Sequence, residues 1–312
     1  MNALLLALIA VAAEPVDLLA RSGSLHPDAG SQQSQWSDPA RDRAPHWHKP
    51  DASASTLAQR IVSLAPVVTE TLFVLGAGAR VVGVTRFCDR PAAASTRTVV
   101  GGYTDASLEK ILELKPDLVI AMPSFQQRAL LDRLRERNIA VFVVFTDAID
   151  EENAMMLALG DLVGAPEQAR ALVHKQQATL EATTRSAKGK GHRAVVVVGH
   201  DPLVVAGTGT FADVALRATG AESALLPGDP AWPVWSLEAL LARQVAVVVA
   251  AEGPEAADRL RASFAPLGAR APRVVAAGGS ILMRPGPSFA DDVVTLEKLF
   301  APSPAGGQPR SP

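Results

Sequence analysis

Short apolar runs rich in valine and isoleucine alternate with amphipathic stretches from Arg60 to Phe300. Residues 61–64 (IVSL), 81–84 (VVGV), 117–122 (DLVIAM), 141–145 (VFVVF), 194–198 (AVVVV) and 273–277 (RVVAA) have the length and β-branched content of buried strands. Helices are predicted from Pro66 to a stop at Gly76, over 127–137, and over 291–300. Strands that alternate with helices imply parallel sheets covered on both faces.

Two stretches repeat one another. Residues 107–121 (SLEKILELKPDLVIA) and 236–250 (SLEALLARQVAVVVA) both open Ser-Leu-Glu, run through a short helix, turn, and end in an apolar strand. Leu108, Ile111 and Leu112 in the first copy, and Leu237, Leu240 and Leu241 in the second, have helical spacing. Ser107 and Ser236 are placed as N-caps. Glu109 and Glu238 follow two residues later, where a negative charge suits the positive end of the helix dipole. Each is about 100° round from the apolar stripe and is expected to face water. Tyr103, the only tyrosine, lies four residues before Ser107, and Trp232 four residues before Ser236 with Trp235 beside it. Upstream, 72–77 (LFVLGA) resembles 216–221 (LRATGA), a helix ending at glycine in both. Two similar halves, each with an aromatic loop and an acidic helix start, suggest two lobes closing on one ligand.

Between the halves the pattern changes. Residues 150–188 are rich in Ala, Leu, Met, Glu and Gln and read as helical almost throughout, interrupted only near 164–166. That is long for one crossover in a small sheet, so the segment is expected to be a rigid connecting helix over 149–190, between an N-terminal lobe at 57–148 and a C-terminal lobe at 191–300. Residues 1–56 combine an apolar run at 3–13 (ALLLALIAVAA), as in a signal-peptide h-region, with an aperiodic Ser/Pro/Gln/His-rich stretch expected to be a disordered linker. No Lys or Arg precedes the apolar run. The Pro/Gly/Ser-rich 301–312 is expected to be a disordered tail.

Composition narrows the possibilities. Aromatic residues make up only 4% of the 312-residue chain, so each one at a loop carries information. A net charge of -2 gives no electrostatic footprint for nucleic acid, and no apolar run reaches the roughly 18 residues that would span a bilayer. With Cys88 as the one cysteine, no internal disulfide, multi-cysteine metal site or lipid anchor on an N-terminal cysteine is expected. Cys88 itself is expected to be a small buried residue.

Residues 60–70 (RIVSLAPVVTE), 83–91 (GVTRFCDRP) and 101–121 (Gly-Gly-Tyr, Ser-Leu-Glu, Leu-Lys-Pro-Asp-Leu-Val) resemble the substrate-binding proteins of ABC importers that serve vitamin B12, haem and iron-siderophores, most of all the corrinoid branch. The resemblance covers roughly 60–300. It implies an α/β fold of two Rossmann-like lobes with central parallel sheets, joined by one long helix, with the ligand cleft between them. It also implies an exported, periplasmic, monomeric and non-enzymatic protein that captures a corrinoid such as vitamin B12 or cobinamide and delivers it to a permease dimer, with haem or an iron-siderophore as the alternative cargo. On matching motif positions, Phe87, Tyr103 and Trp232 correspond to aromatic residues lining the family's pocket, and Arg284 to an arginine near it. Ser280 stands where an acidic residue is expected and Met122 where an aromatic is. Glu109 and Glu238 correspond to the carboxylates that dock on permease arginines, two similar surfaces meeting a two-fold partner. His200 directly follows a strand, either as an axial ligand to cobalt or iron or as a structural strand cap.

A rival from another class is an α/β enzyme holding a dinucleotide at 207–212 (GTGTFA), which has Gly-x-Gly-x-x-Ala spacing ahead of a helix. No acidic partner follows a second strand, and no Gly-x-Ser-x-Gly or His-Glu-x-x-His motif is present.

Overall fold

The computed structural model describes residues 57–122, 127–146, 148–278, 282 and 286–300, and the backbone of 46–48. In the N-terminal lobe β1 (His46–His48), β2 (Ile61–Ser63), α1 (Pro66–Val74), β3 (Val81–Thr85), β4 (Thr98–Gly101), α2 (Leu108–Glu113), β5 (Leu118–Ala121), α3 (Arg128–Arg135) and β6 (Ala140–Val143) follow in order. Their sheet runs β1-β6-β5-β2-β3-β4, parallel throughout except for β1, which lies antiparallel against β6. The linker expected over 1–56 is therefore corrected at 46–48. An open strand edge presents unpaired N–H and C=O groups, and this short stretch satisfies them on β6.

Next come α4 (Ile149–Val163) and α5 (Pro166–Ser186). The C-terminal lobe holds β7 (Arg193–His200), β8 (Leu203–Val205), α6 (Phe211–Ala218), β9 (Glu222–Ser223), α7 (Leu237–Ala242), β10 (Val247–Ala250), α8 (Pro254–Phe264), β11 (Arg273–Ala276) and α9 (Phe289–Lys298). Its sheet runs β11-β10-β7-β8, with β9 also on β7 and β8 antiparallel. The period of two sorts the strand residues between two cores. Val196, Val247 and Val249 pack with Phe211, Leu216 and Phe289 on one face, while Val197, Val248 and Ala250 pack with Leu240, Leu260 and Phe264 on the other.

The repeat holds at atomic detail. Ser107 Oγ accepts from Lys110 N at 3.3 Å and Ser236 Oγ from Ala239 N at 3.2 Å. Lys115 and Gln244, eight residues after their serines, both turn the chain with positive φ, 47° and 53°. At that turn Arg60 Nε donates to Leu114 O at 3.0 Å and Arg193 Nε to Arg243 O at 2.7 Å, so an arginine at each strand start satisfies the last carbonyls of each short helix.

The expected single strut over 149–190 divides in two. Gly164 adopts φ 72° and closes α4, and Pro166, which lacks an N–H, opens α5. Helix α4 folds into the N-lobe core through Met155, Met156 and Leu159. Helix α5 joins the lobes along its length, with Ala169 and Val173 in the N-lobe core and Leu180 against the C-lobe core, while α4 touches the C-lobe core through Ile149 at its start. Strands β4, β8 and β9 and helix α8 had no clear pattern in the sequence. The strands are edge elements two to four residues long, too short to show alternation.

A side chain at Gly160 would overlap Ala169 Cβ, so glycine sets how closely α4 and α5 approach. Gly160→Val should destabilise the protein by about 1–3 kcal/mol, the scale of overpacking a core contact. Urea unfolding at constant m-value measures it.

Candidate ligand cleft and docking surfaces

In parallel sheets the loops beyond the carboxyl ends of the strands are where ligands bind. Phe87 lies two residues beyond β3 and is 46% exposed. Tyr103 lies two residues beyond β4 and is partly buried. The structure brings these two loops together. Arg86 N donates to Gly101 O at 2.9 Å, and the Arg86 guanidinium grips Asp105 through both nitrogens, at 3.1 and 2.6 Å. Asp105 also accepts from Gly102 N at 2.8 Å, and a side chain at Gly102 would collide with both partners. The Arg86 hydrogen bonds, then the Gly102 amide, hold the Asp105 carboxyl below its ordinary range. Arg86 also lies 5.8 Å from the centre of the Phe87 ring. Because the ion pair is half exposed, it positions the loops more than it stabilises the fold.

Trp232 stands on a segment that runs beside β8. Val205 N donates to Pro233 O at 2.9 Å, Trp235 N to Leu203 O at 2.9 Å, and Gly207 N to Ala231 O at 2.7 Å. Side chains alternate along it: Trp232 and Val234 are 39% and 63% exposed, while Trp235 is buried. Arg243 lies 4.4 Å above the Trp235 ring and pairs with Asp229, Nη2 to Oδ1 at 2.9 Å. Asp229 in turn accepts from Leu226 N at 2.8 Å, and its carboxyl is held below the ordinary range chiefly by Arg243. Each aromatic loop is thus pinned by an Arg–Asp pair. Sequence reasoning missed both pairs, whose members lie far apart along the chain with no motif to join them.

His200 ends β7, which runs three residues past its last partner on β10. Its Nδ1 lies 3.6 Å from Glu252 Oε2, and the ring is partly exposed. Arg284 and Ser280 lie outside the described residues. Cys88 is buried, with the hydroxyls of Thr69 and Thr85 at 3.1 and 3.2 Å from its sulfur.

Glu109 and Glu238 occupy equivalent positions on α2 and α7, and both are exposed. Ser107 Oγ donates to Glu109 Oε2 at 3.1 Å. For Glu109 its own backbone amide, then that hydroxyl, lowers the carboxyl pKa below the ordinary range; for Glu238 the Ser236 hydroxyl comes first and the backbone amide second. The two carboxylates are separate negative points, one on each lobe.

The dinucleotide reading of 207–212 does not hold. The Gly207 amide is taken up by Ala231 O, a side chain there would overlap Pro230 O, and Thr210 caps α6 through Asp213 N at 3.3 Å. The preceding strand, β8, is antiparallel, and Asp213 puts a carboxylate in the first turn where a pyrophosphate would sit.

Known proteins share this architecture. Vitamin B12-binding protein of Pectobacterium carotovorum is 30% identical over 208 residues, which cover 65% of this chain and 75% of that protein. Its counterpart in Vibrio cholerae is 28% identical over 196 residues, 62% and 71% of the two chains. Among solved structures, the periplasmic vitamin B12-binding protein BtuF of Vibrio cholerae superposes with a TM-score of 0.64 at 25% identity, covering 78% of this chain and 96% of that one. The periplasmic haem-binding protein RhuT from Roseiflexus sp. RS-1 gives 0.66 at 26% identity, covering 78% and 98%. Among the described residues no helix is long and apolar enough to cross a membrane. The family model for periplasmic binding proteins matches residues 61–265, and the chain belongs to that family.

Proposed function

We propose that this chain is the substrate-binding protein of an ABC importer, that it works outside the cytoplasmic membrane, and that it captures a corrinoid between its two lobes for delivery to a membrane permease. The observation that carries this reading is the placement of scarce aromatic residues: Phe87, Tyr103 and Trp232 stand on pinned loops of both lobes, with Phe87 and Trp232 exposed. A corrin is a broad, mostly apolar plate, and flat rings cover it with little loss of side-chain entropy. Relatives named for vitamin B12 support the corrinoid. The likeness to RhuT supports haem as the alternative, a second metal tetrapyrrole that the same rings would cover. His200, whose Nδ1 lies 3.6 Å from Glu252 Oε2, is assigned to the metal face of the ligand, since an imidazole is a good axial donor to cobalt or iron. Arg284 is assigned to a polar group on the ligand's rim. No chemical step is assigned to the protein.

Glu109 and Glu238 are assigned to the permease. One monomer meets a two-fold partner by offering two similar surfaces, and two exposed carboxylates on duplicated helices meet that requirement.

Titration of the purified protein with cyanocobalamin, haem and a ferric siderophore, followed by absorbance and calorimetry, should give one-to-one binding of cyanocobalamin; binding of none of the three would reject ligand capture. Trp232→Ala should weaken that binding by about 1–3 kcal/mol, the scale of one large buried aromatic contact, and Tyr103→Ala should do the same from the other lobe. Unchanged affinity in both variants would put the cleft elsewhere.

Glu109→Arg combined with Glu238→Arg should abolish capture by the cognate permease in a pull-down while leaving ligand affinity nearly intact. A collapse of ligand binding in a folded double variant would move the two glutamates into the pocket.

Both carboxyls titrate below their ordinary value, so their charge is present above that range and is lost only as pH falls through the lowered pKa. Docking should therefore stay flat from about pH 5 to pH 9 and weaken only in stronger acid. Carboxyl-carbon NMR would contradict the assignment of depressed pKa values if either midpoint lay above that of an ordinary glutamate.

A further inference from the structure

Where the last helix returns to the N-terminal lobe, several carboxyls meet in one largely buried seam. Ser288, immediately before α9, donates through Oγ to Glu70 Oε1 on α1, a hydrogen bond between the two lobes. Gly286 packs against the same helix: a Cβ there would lie 3.0 Å from Val67 Cγ2 and 3.9 Å from Glu70 Oε2. On α4, Glu152 is 0% exposed, and neither carboxyl oxygen has a hydrogen-bond partner among the described residues. On α9, Asp292 is 8% exposed, and its Oδ2 likewise has none. The Gly286 amide and Gln176 lie toward Glu152 and favour its charge, but outside hydrogen-bonding geometry. The Gln176 Nε2 donates to Asn153 Oδ1 at 3.3 Å instead.

An ionised carboxylate with no partner in a dry site costs several kcal/mol, so such a group takes up a proton instead. Burial pushes Glu152 well above the ordinary carboxyl range, and the nearby Glu70 and Asp292 push the same way. For Asp292 burial is again the largest cause. Arg90, from the loop after β3, opposes it, Glu70 and Asp291 add to it, and the result is about 7. Helices α5 and α6 also pack on α9, and Arg217 on α6 is paired with its own Asp213 at 2.8 Å. At the far end of α9, Glu297 pairs with Lys188 at 3.0 Å. Burial favours the neutral form of Glu152, and Asp292, at about 7, is the group that changes charge near neutral pH.

We propose that the junction of α1, α4 and α9 is a proton-dependent clasp between the lobes, closed when Asp292 carries a proton and loosened when it ionises near Glu70 in this buried seam. The sign follows from linkage. The folded state binds the Asp292 proton more tightly than the unfolded chain, whose ordinary value is 3.8. Its stabilising effect is therefore complete in acid below that value and is lost as pH rises through about 7. Because α9 also lines the connecting helix α5, loosening its first turn frees the C-lobe to move against the N-lobe.

The test uses the full chain without ligand. Thermal unfolding of wild type should show the melting temperature falling by about 3–6 °C between pH 6 and pH 8.5. Asp292→Asn should remove most of that fall and keep the higher melting temperature at pH 8.5, while Glu152→Gln should retain the fall. A flat wild-type profile, or a fall that survives in Asp292→Asn, overturns the clasp. A fall lost in Glu152→Gln but kept in Asp292→Asn overturns the assignment of the titrating group. If Asp292→Asn does not fold, hydrogen exchange of wild type decides. Protection of α1 and of the first turn of α9 should drop several-fold at pH 8.5 relative to pH 6, after correction for intrinsic rates, with β10 unchanged. Loss spread evenly over all three, or no loss, overturns the proposal.

Discussion

The structure depends on a long helix that belongs to two cores at once. Helix α5 has 21 residues and so spans about 31 Å at 1.5 Å per residue. Ala169 and Val173 near its start are buried among N-lobe residues, and Leu180 further along packs on the C-lobe. Neither lobe can slide along this helix without opening a cavity in its own core, and cavities in close-packed interiors are costly. A flexible linker would leave the distance between lobes free, whereas this helix sets it. Helix α4 supports the arrangement by packing beside α5 at Gly160, where no side chain intervenes.

With the lobes held this way, what remains is to aim a few loops. Both lobes do it alike. An arginine and an aspartate from separate segments pair in each, Arg86 with Asp105 beyond the ends of β3 and β4, and Arg243 with Asp229 near the start of β7. Each carboxylate also takes a backbone amide, from Gly102 or Leu226, so one charge gathers two strands of loop. Such exposed or half-exposed pairs add little to stability but remove conformational freedom from the aromatic segments beside them, and pre-ordered surfaces bind with less entropic loss.

Carboxyl groups show how far burial alone decides chemistry here. Glu109 and Glu238 stand in water beside a serine hydroxyl and a helix start, and they stay charged well into acid. Glu152 has the same side chain fully buried, with no hydrogen-bond partner for its carboxyl among the described residues, and burial there favours the neutral form. Asp292 lies between these limits, with Arg90 favouring its charge and burial opposing it. The first environment leaves a charge exposed at the surface, and the others place titratable groups where the two lobes meet.

Much of the architecture was legible from residues alone. Strands such as 194–198 and 273–277, the N-cap serines and the duplication of 107–121 in 236–250 are local patterns, set by side-chain periodicity and by the orphan amides of a helix start. The exposure of Glu109 and Glu238 followed from the same helical geometry. What only the tertiary structure decided lies between segments distant in sequence. Residues 46–48 join the sheet because β6 offers an open edge, and the helix before the legible break at 164–166 folds into the N-lobe core instead of continuing a strut. Trp235 turns inward while Trp232 does not, because β8 pairs with that segment in one register and so sets which side chains face the core. The Arg–Asp pins and the meeting of Glu70, Glu152 and Asp292 leave no trace in any local pattern, since their energies arise from burial and distance that exist only once the chain has folded.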